Sequence, residues 1–145
     1  MKKLLLFTFL FYCVTFSQNN IADSTIIIES AESYTPLSVI KDAFRTHTSN
    51  IQVCQKGIII NILKDDIKGS RHQRFIIKLE NGQTLLIAHN IDIANRISKI
   101  KINKEIIFYG EYEWNNKGGV IHWTHRDPDG NHINGWIKYE GNKYE

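Results

Sequence analysis

Cysteine is scarce in this chain: only Cys13 and Cys54 occur, and the first lies inside an N-terminal leader. With the leader removed a single thiol is left, which excludes an intramolecular disulfide as a source of stability. Cys54 follows Val53 in a strand-like run and reads as a small buried apolar residue. Apolar runs are short as well. The longest, Leu4 to Phe16, spans about 13 residues, against the ~20 that a membrane-crossing helix needs. Charge of one sign is also missing. Removing Lys2 and Lys3 from the 18 basic residues leaves 16 against 15 acidic ones, so a nucleic-acid binder relying on bulk charge is excluded and only a local basic stripe is left open. There is no CxxC, no HExxH, no internal repeat and no low-complexity segment.

What is present begins with a leader in three parts. Lys2 and Lys3 precede the apolar run, and Thr15 and Ser17 occupy the positions a signal peptidase inspects, so residues 1–17 predict a signal peptide cleaved before Gln18. The protein is then exported, to the periplasm or beyond, with no stable membrane insertion after cleavage. A lipoprotein reading of Cys13 fails because Leu10, Phe11 and Tyr12 supply no small residue beside it. Residues 18–36 read as a tether with one apolar triplet, Ile26 to Ile28, able to add a strand.

Residues 37–145 are one domain's worth of chain. Leu37, Ile40 and Phe44 recur at helical spacing behind Pro36 and predict an amphipathic helix over 37–47. Strand candidates follow: Ile51 to Leu63, Phe75 to Leu79, Gln83 to Ala88, Glu105 to Trp114, Val120 to Thr124 and Gly135 to Tyr139. Asn81-Gly82 is a strong hairpin signal, and a short helix is expected over Ile91 to Ile97. The order predicts a mostly β fold, a small five-stranded OB-like Greek-key barrel preceded by one amphipathic helix, with an antiparallel sandwich or meander as the competitor.

Polar residues gather in four strings. In the first, Ser70 to Arg74, alternation sends Arg71, Gln73 and Phe75 to one face and His72, Arg74 and Ile76 to the other, and the two arginines offer forked donors to a phosphate or carboxylate. The second, His89 to Asp92, places His89 at a strand end and Asp92 at a helix cap. The third, Glu111 to Asn115, carries Tyr112 and Trp114 on one face, as a stacking pair or as core. The fourth runs from His122 through Trp123, His125 and Asp127 to His132 and Trp136. On a regular strand His122 and His125 point to opposite sides, while His125 and His132 flank a turn and could share a divalent metal. Five of the six histidines lie in these strings.

At these strings the chain resembles a family of small exported bacterial proteins catalogued as a domain of unknown function. The phrases that carry the likeness are Gly69-Ser-Arg-His-Gln-Arg-Phe75, Leu86-Ile-Ala-His-Asn-Ile-Asp92, Gly110-Glu-Tyr-Glu-Trp-Asn115 and Gly118-Gly-Val-Ile-His-Trp-Thr-His125, and they span roughly residues 37–144. The resemblance implies no activity. The layout is also similar to nuclease barrels of the OB type, whose arginine, aspartate and glutamate motif has no residue-by-residue counterpart here.

Three functions follow from the residues. The first is a binding domain for an anionic ligand, a nucleic acid or a sugar phosphate, lined by Arg71, His72, Arg74, His89, Asp92, Trp114 and Trp123. The second is a phosphodiester hydrolase using His122, His125 and Asp127, either histidine-based or with a divalent metal on His125 and His132. The third is a structural or interaction protein of the cell envelope, in which the strings form an internal hydrogen-bond network.

Overall fold

The fold comes from a computed structural model, which describes residues 33–145. The expected signal peptide and the Ile26–Ile28 strand lie outside the described residues. Helix α1, Leu37–Thr46, starts from Pro36, whose fixed φ of −53° suits a helix entry. It buries Ile40 and Ala43 at a spacing of three. His47 stops it in the left-handed conformation, and the amide of Thr48 returns to the Ala43 carbonyl.

Strand β1, Ile51–Ile62, is long enough to serve two neighbours. Its first part pairs antiparallel with β4, Glu105–Glu113, from Ile51↔Tyr112 to Ile58↔Glu105. Its last part pairs with β2, His72–Lys78, and a register shift between Ile59 and Asn61 bends it from one partner to the other. Asn81-Gly82 closes the hairpin from β2 to β3, Thr84–Asn90, as its sequence predicts. β3 runs parallel to β5, Val120–His122, and β5 returns antiparallel to β4. The ring β1-β2-β3-β5-β4 is thereby closed, and no barrel strand keeps two open edges.

Two further strands extend β4 outside the ring. β6, Trp136–Tyr139, pairs with Ile107 to Tyr109, and β7, Asn142–Tyr144, pairs with β6. The sequence reading expects the first of these and misses the second, because a three-residue strand with polar Asn142 and Lys143 carries no apolar alternation. Period-two patterning fills the barrel. Phe75, Ile77, Leu85, Ile87, Phe108, Tyr112, Ile121 and Ile137 are almost completely buried and form one core with Ile40 and Ala43 of α1. Each fully buried aliphatic or aromatic side chain contributes roughly 1.5–3 kcal/mol.

Cys54 is buried, as expected, under the stretch that leads into α1: Thr35 exchanges hydrogen bonds with its backbone on both sides. Two local expectations are corrected. Residues 91–97 form turns rather than a short helix, because their backbone is claimed from elsewhere. The Ile97 amide donates to Gln73 Oε1, Gln73 Nε2 donates back to the Ile97 carbonyl, and the Asn95 carbonyl accepts from His89. Strand β5 also ends at His122, two residues early, because Trp123 adopts φ +50°.

Candidate functional site

The outer face of β2, β3 and β5 is shaped by the same alternation that fills the interior. With Gln73, Phe75 and Ile77 pointing in, His72, Arg74 and Ile76 point out, and cross-strand register sets Asn90, Ala88 and Leu86 of β3 beside them. Val120 and His122 of β5 continue the row. Three depressions cover this face. The central one, about 300 Å³, lies between the β1–β2 loop and the β4–β5 loop and is lined by Asp66, Lys68, His72, Arg74, Asn115 and His122, among others. The second, about 390 Å³, shares Arg74, Leu86 and Asn115 with it and reaches Lys117. The third, about 240 Å³, shares His72, Ala88 and His122 with it and ends at Trp123 and His125. Shared walls make the three one trough.

Loop and strand ends hold the trough's polar groups in place. Arg74 donates through Nε and Nη2 to the Lys64 carbonyl at 3.1 and 3.0 Å, with Asp66 3.7 Å from Nη1. The Lys68 amide, then the charges of Arg74 and His72, hold the Asp66 carboxyl below its usual range. His72 Nδ1 lies 2.8 Å from the Ser70 carbonyl. Burial, then the neighbouring His72, pushes His122 below the ordinary histidine value, against an opposing pull from Glu113. The left-handed turn at Trp123 brings His125 onto the same side as His122, where a continued strand would oppose them. Trp123 is braced by His132, whose ring stacks on it at 3.6 Å and 16°.

Five of the residues expected to bind or react thus share one trough: His72, Arg74, His122, Trp123 and His125. The others hold structure. Arg71 and Asp92 bind each other, side chain to side chain at 2.6 Å and amide to carboxylate at 2.7 Å, and this pins the entry to β2. His89 is completely buried inside the barrel. Asp127 collects the amides of Asp129, Asn131 and His132 and shapes the turn before β6. Tyr112 is core, donating its hydroxyl to the Gly118 carbonyl, so it forms no outer stacking face with Trp114. Among the described residues no three histidine, cysteine or acidic side chains converge as a metal site, and the Trp123 ring stands against both His125 and His132.

Trp114 locks α1 to the barrel. Its Nε1 donates to the Phe44 carbonyl at 3.1 Å, and its ring lies 4.1 Å from that of His47. Trp114→Ala is expected to lower unfolding free energy by about 2 kcal/mol, less than for a fully buried tryptophan because Trp114 is half-buried. Urea unfolding followed by far-UV circular dichroism checks it.

Sequence reasoning missed Lys68 and Lys117 and reached Asn115 only as the end of the third string. Their signal was positional: in a barrel of this strand order, the loops between the first two and last two ring strands flank the ligand face.

The ring order and the trough between those loops define the class, a closed five-stranded β-barrel of the OB type with a polar outer groove. The chain belongs to the family described as "Protein of unknown function (DUF3465)", whose model matches residues 25–145. Searches of curated proteins and of solved structures gave no match.

Proposed function

We propose that the outer face of β2, β3 and β5 binds a single-stranded nucleic acid. The observation that carries this reading is the continuity of the trough: one path with shared walls runs from Lys117, past Arg74, Lys68 and His122, to Trp123. A single sugar phosphate would fill one depression, whereas an oligonucleotide fits the whole length. Lys68, Arg74 and Lys117 give the trough a positive excess over Asp66 although the chain as a whole is nearly balanced. Imidazole and indole rings along it offer faces and edges to unstacked bases, which is how OB barrels hold single strands. The leader-like residues 1–17 support export, so the ligand would be met outside the cytoplasm.

The test is fluorescence anisotropy with a labelled RNA and DNA of about 12 nucleotides, inside the range one such barrel covers. Reversing two trough charges in Lys68→Glu/Arg74→Glu is expected to weaken binding at least about tenfold and to flatten the salt dependence by one to two phosphate contacts. Lys41→Glu, on the exposed side of α1, is the matched control and should bind as the parent does. Equal affinities for both variants would sink the proposal.

A further inference from the structure

Within the trough two imidazoles stand face to edge. β3 lies between β2 and β5, so the first residue of β2 and the last of β5 meet over it: the rings of His72 and His122 are 6.5 Å apart and at 88° to each other. The pair differs in chemistry. His72 gives its Nδ1 hydrogen to the Ser70 carbonyl, which leaves Nε2 to carry or release a proton toward the trough. His122 has no hydrogen-bond partner at either ring nitrogen among the described residues, and it is half-buried. Lys68, Arg74 and Asp66 line the same depression, which leaves a net positive charge beside the pair.

We infer that this trough cleaves single-stranded RNA, with His122 as general base and His72 as general acid across one phosphodiester. The inference rests on the nucleic-acid reading of the face and adds a reaction to it. A ring nitrogen of His122 takes the proton of a ribose 2′-hydroxyl, and O2′ forms a bond to the adjacent phosphorus. The P–O5′ bond breaks, and the departing O5′ receives the proton of the His72 imidazolium. The products are a 2′,3′-cyclic phosphate end and a 5′-hydroxyl end. Nothing is oxidised or reduced, and exchange with water restores both rings. Lys68 and Arg74 face the extra negative charge of the five-coordinate phosphorus. Burial keeps His122 neutral at pH 7, the form a base needs. The nucleophile comes from the substrate, so DNA, which lacks it, is bound and left intact.

The experiment incubates the purified protein, in excess EDTA, with an end-labelled RNA of about 12 nucleotides, its DNA counterpart, and a DNA strand carrying one ribose. The expected result is cleavage of the RNA and of the mixed strand after its ribose, with cyclic-phosphate ends, and none of the DNA. His72→Asn and His122→Asn, both on the barrel exterior, should keep the parent's melting transition and, at protein concentrations that saturate the RNA, cut on the order of 100-fold more slowly. RNA that is bound yet stays intact between about pH 6 and 8 overturns the inference and leaves the binding groove standing. Cleavage that persists in both variants, or that needs an added divalent ion, overturns it equally. RNA neither bound nor cut removes the groove reading as well.

Discussion

Gly135→Ala is expected to cost about 4 kcal/mol or more of folding stability and to disorder the Trp123 end of the trough. A Cβ at this position would stand 1.9 Å from the Trp123 carbonyl oxygen and 2.5 Å from that of Tyr109. Both obstacles are backbone, so no side chain can swing away. Gly135 also donates its amide to the His125 carbonyl at 2.9 Å, which ties the approach to β6 against the segment that leaves β5. Relief of the clash requires Trp123 to move, and Trp123 and His125 wall the third depression. Stability and RNA affinity should therefore fall together. Gly130→Ala separates this crowding from a general glycine effect: Gly130 has φ +70° with nothing within 4 Å of an added Cβ, so it meets only the left-handed backbone cost of about 1 kcal/mol. Urea unfolding of both variants at pH 7 decides. Equal losses would show that the Trp123–Gly135 crossing is softer than its distances imply.

The legible part of this molecule is what strict local periodicity controls. Gln73 and Phe75 point inward and His72 and Arg74 outward because a strand allows no other arrangement, so two of the trough's residues are readable from four consecutive positions. The Asn81-Gly82 hairpin, the first helix and the five-strand ring follow from equally local signals. What escaped depends on partners far along the chain. Ile91 and Ile97 mimic a helical stripe, but the Ile97 amide is held by Gln73, 24 residues away. Arg71 resembles an anion ligand until Asp92, 21 residues on, takes its guanidinium. The end of β5 turns on a left-handed tryptophan, for which no residue type gives warning. Strand alternation therefore sets His122 and His125 on opposite faces, and the folded chain merges them. Lys68 and Lys117 escaped for another reason. A lysine in a turn is unremarkable until the parallel pairing of β3 with β5 sets two loops on either side of one face.

His89 makes the barrel acid-sensitive, and the expected result is a loss of about 3 kcal/mol of stability between pH 7 and pH 4. The ring is sealed in the interior, with Nε2 3.1 Å from the Asn95 carbonyl and Nδ1 2.9 Å from Thr124 Oγ1. The carbonyl fixes the neutral form with hydrogen on Nε2, and the Thr124 hydroxyl donates to Nδ1, the nitrogen that an acid proton would take. Burial pulls the pKa from 6.5 down to about 4, and the nearby His125 adds to it. Between those values the unfolded chain binds more protons than the folded one, so stability falls as pH drops below about 6.5 and the fall is complete near 4. His122, also held low, adds a smaller slope of the same sign. Asp66 and Asp92, held low by their partners, act in the same sense at lower pH. Their contribution is present above their ordinary pKa near 3.8 and is lost only below the histidine window. His89→Gln can still donate to Asn95 but cannot titrate. It should be less stable than the parent at pH 7 and lose much less between pH 7 and 4, measured as the urea midpoint at pH 7, 5.5 and 4.5. A parent and a variant with the same pH slope would mean that water reaches His89, and that the link it makes between the end of β3, Thr124 and the 91–97 turns opens readily in the folded state.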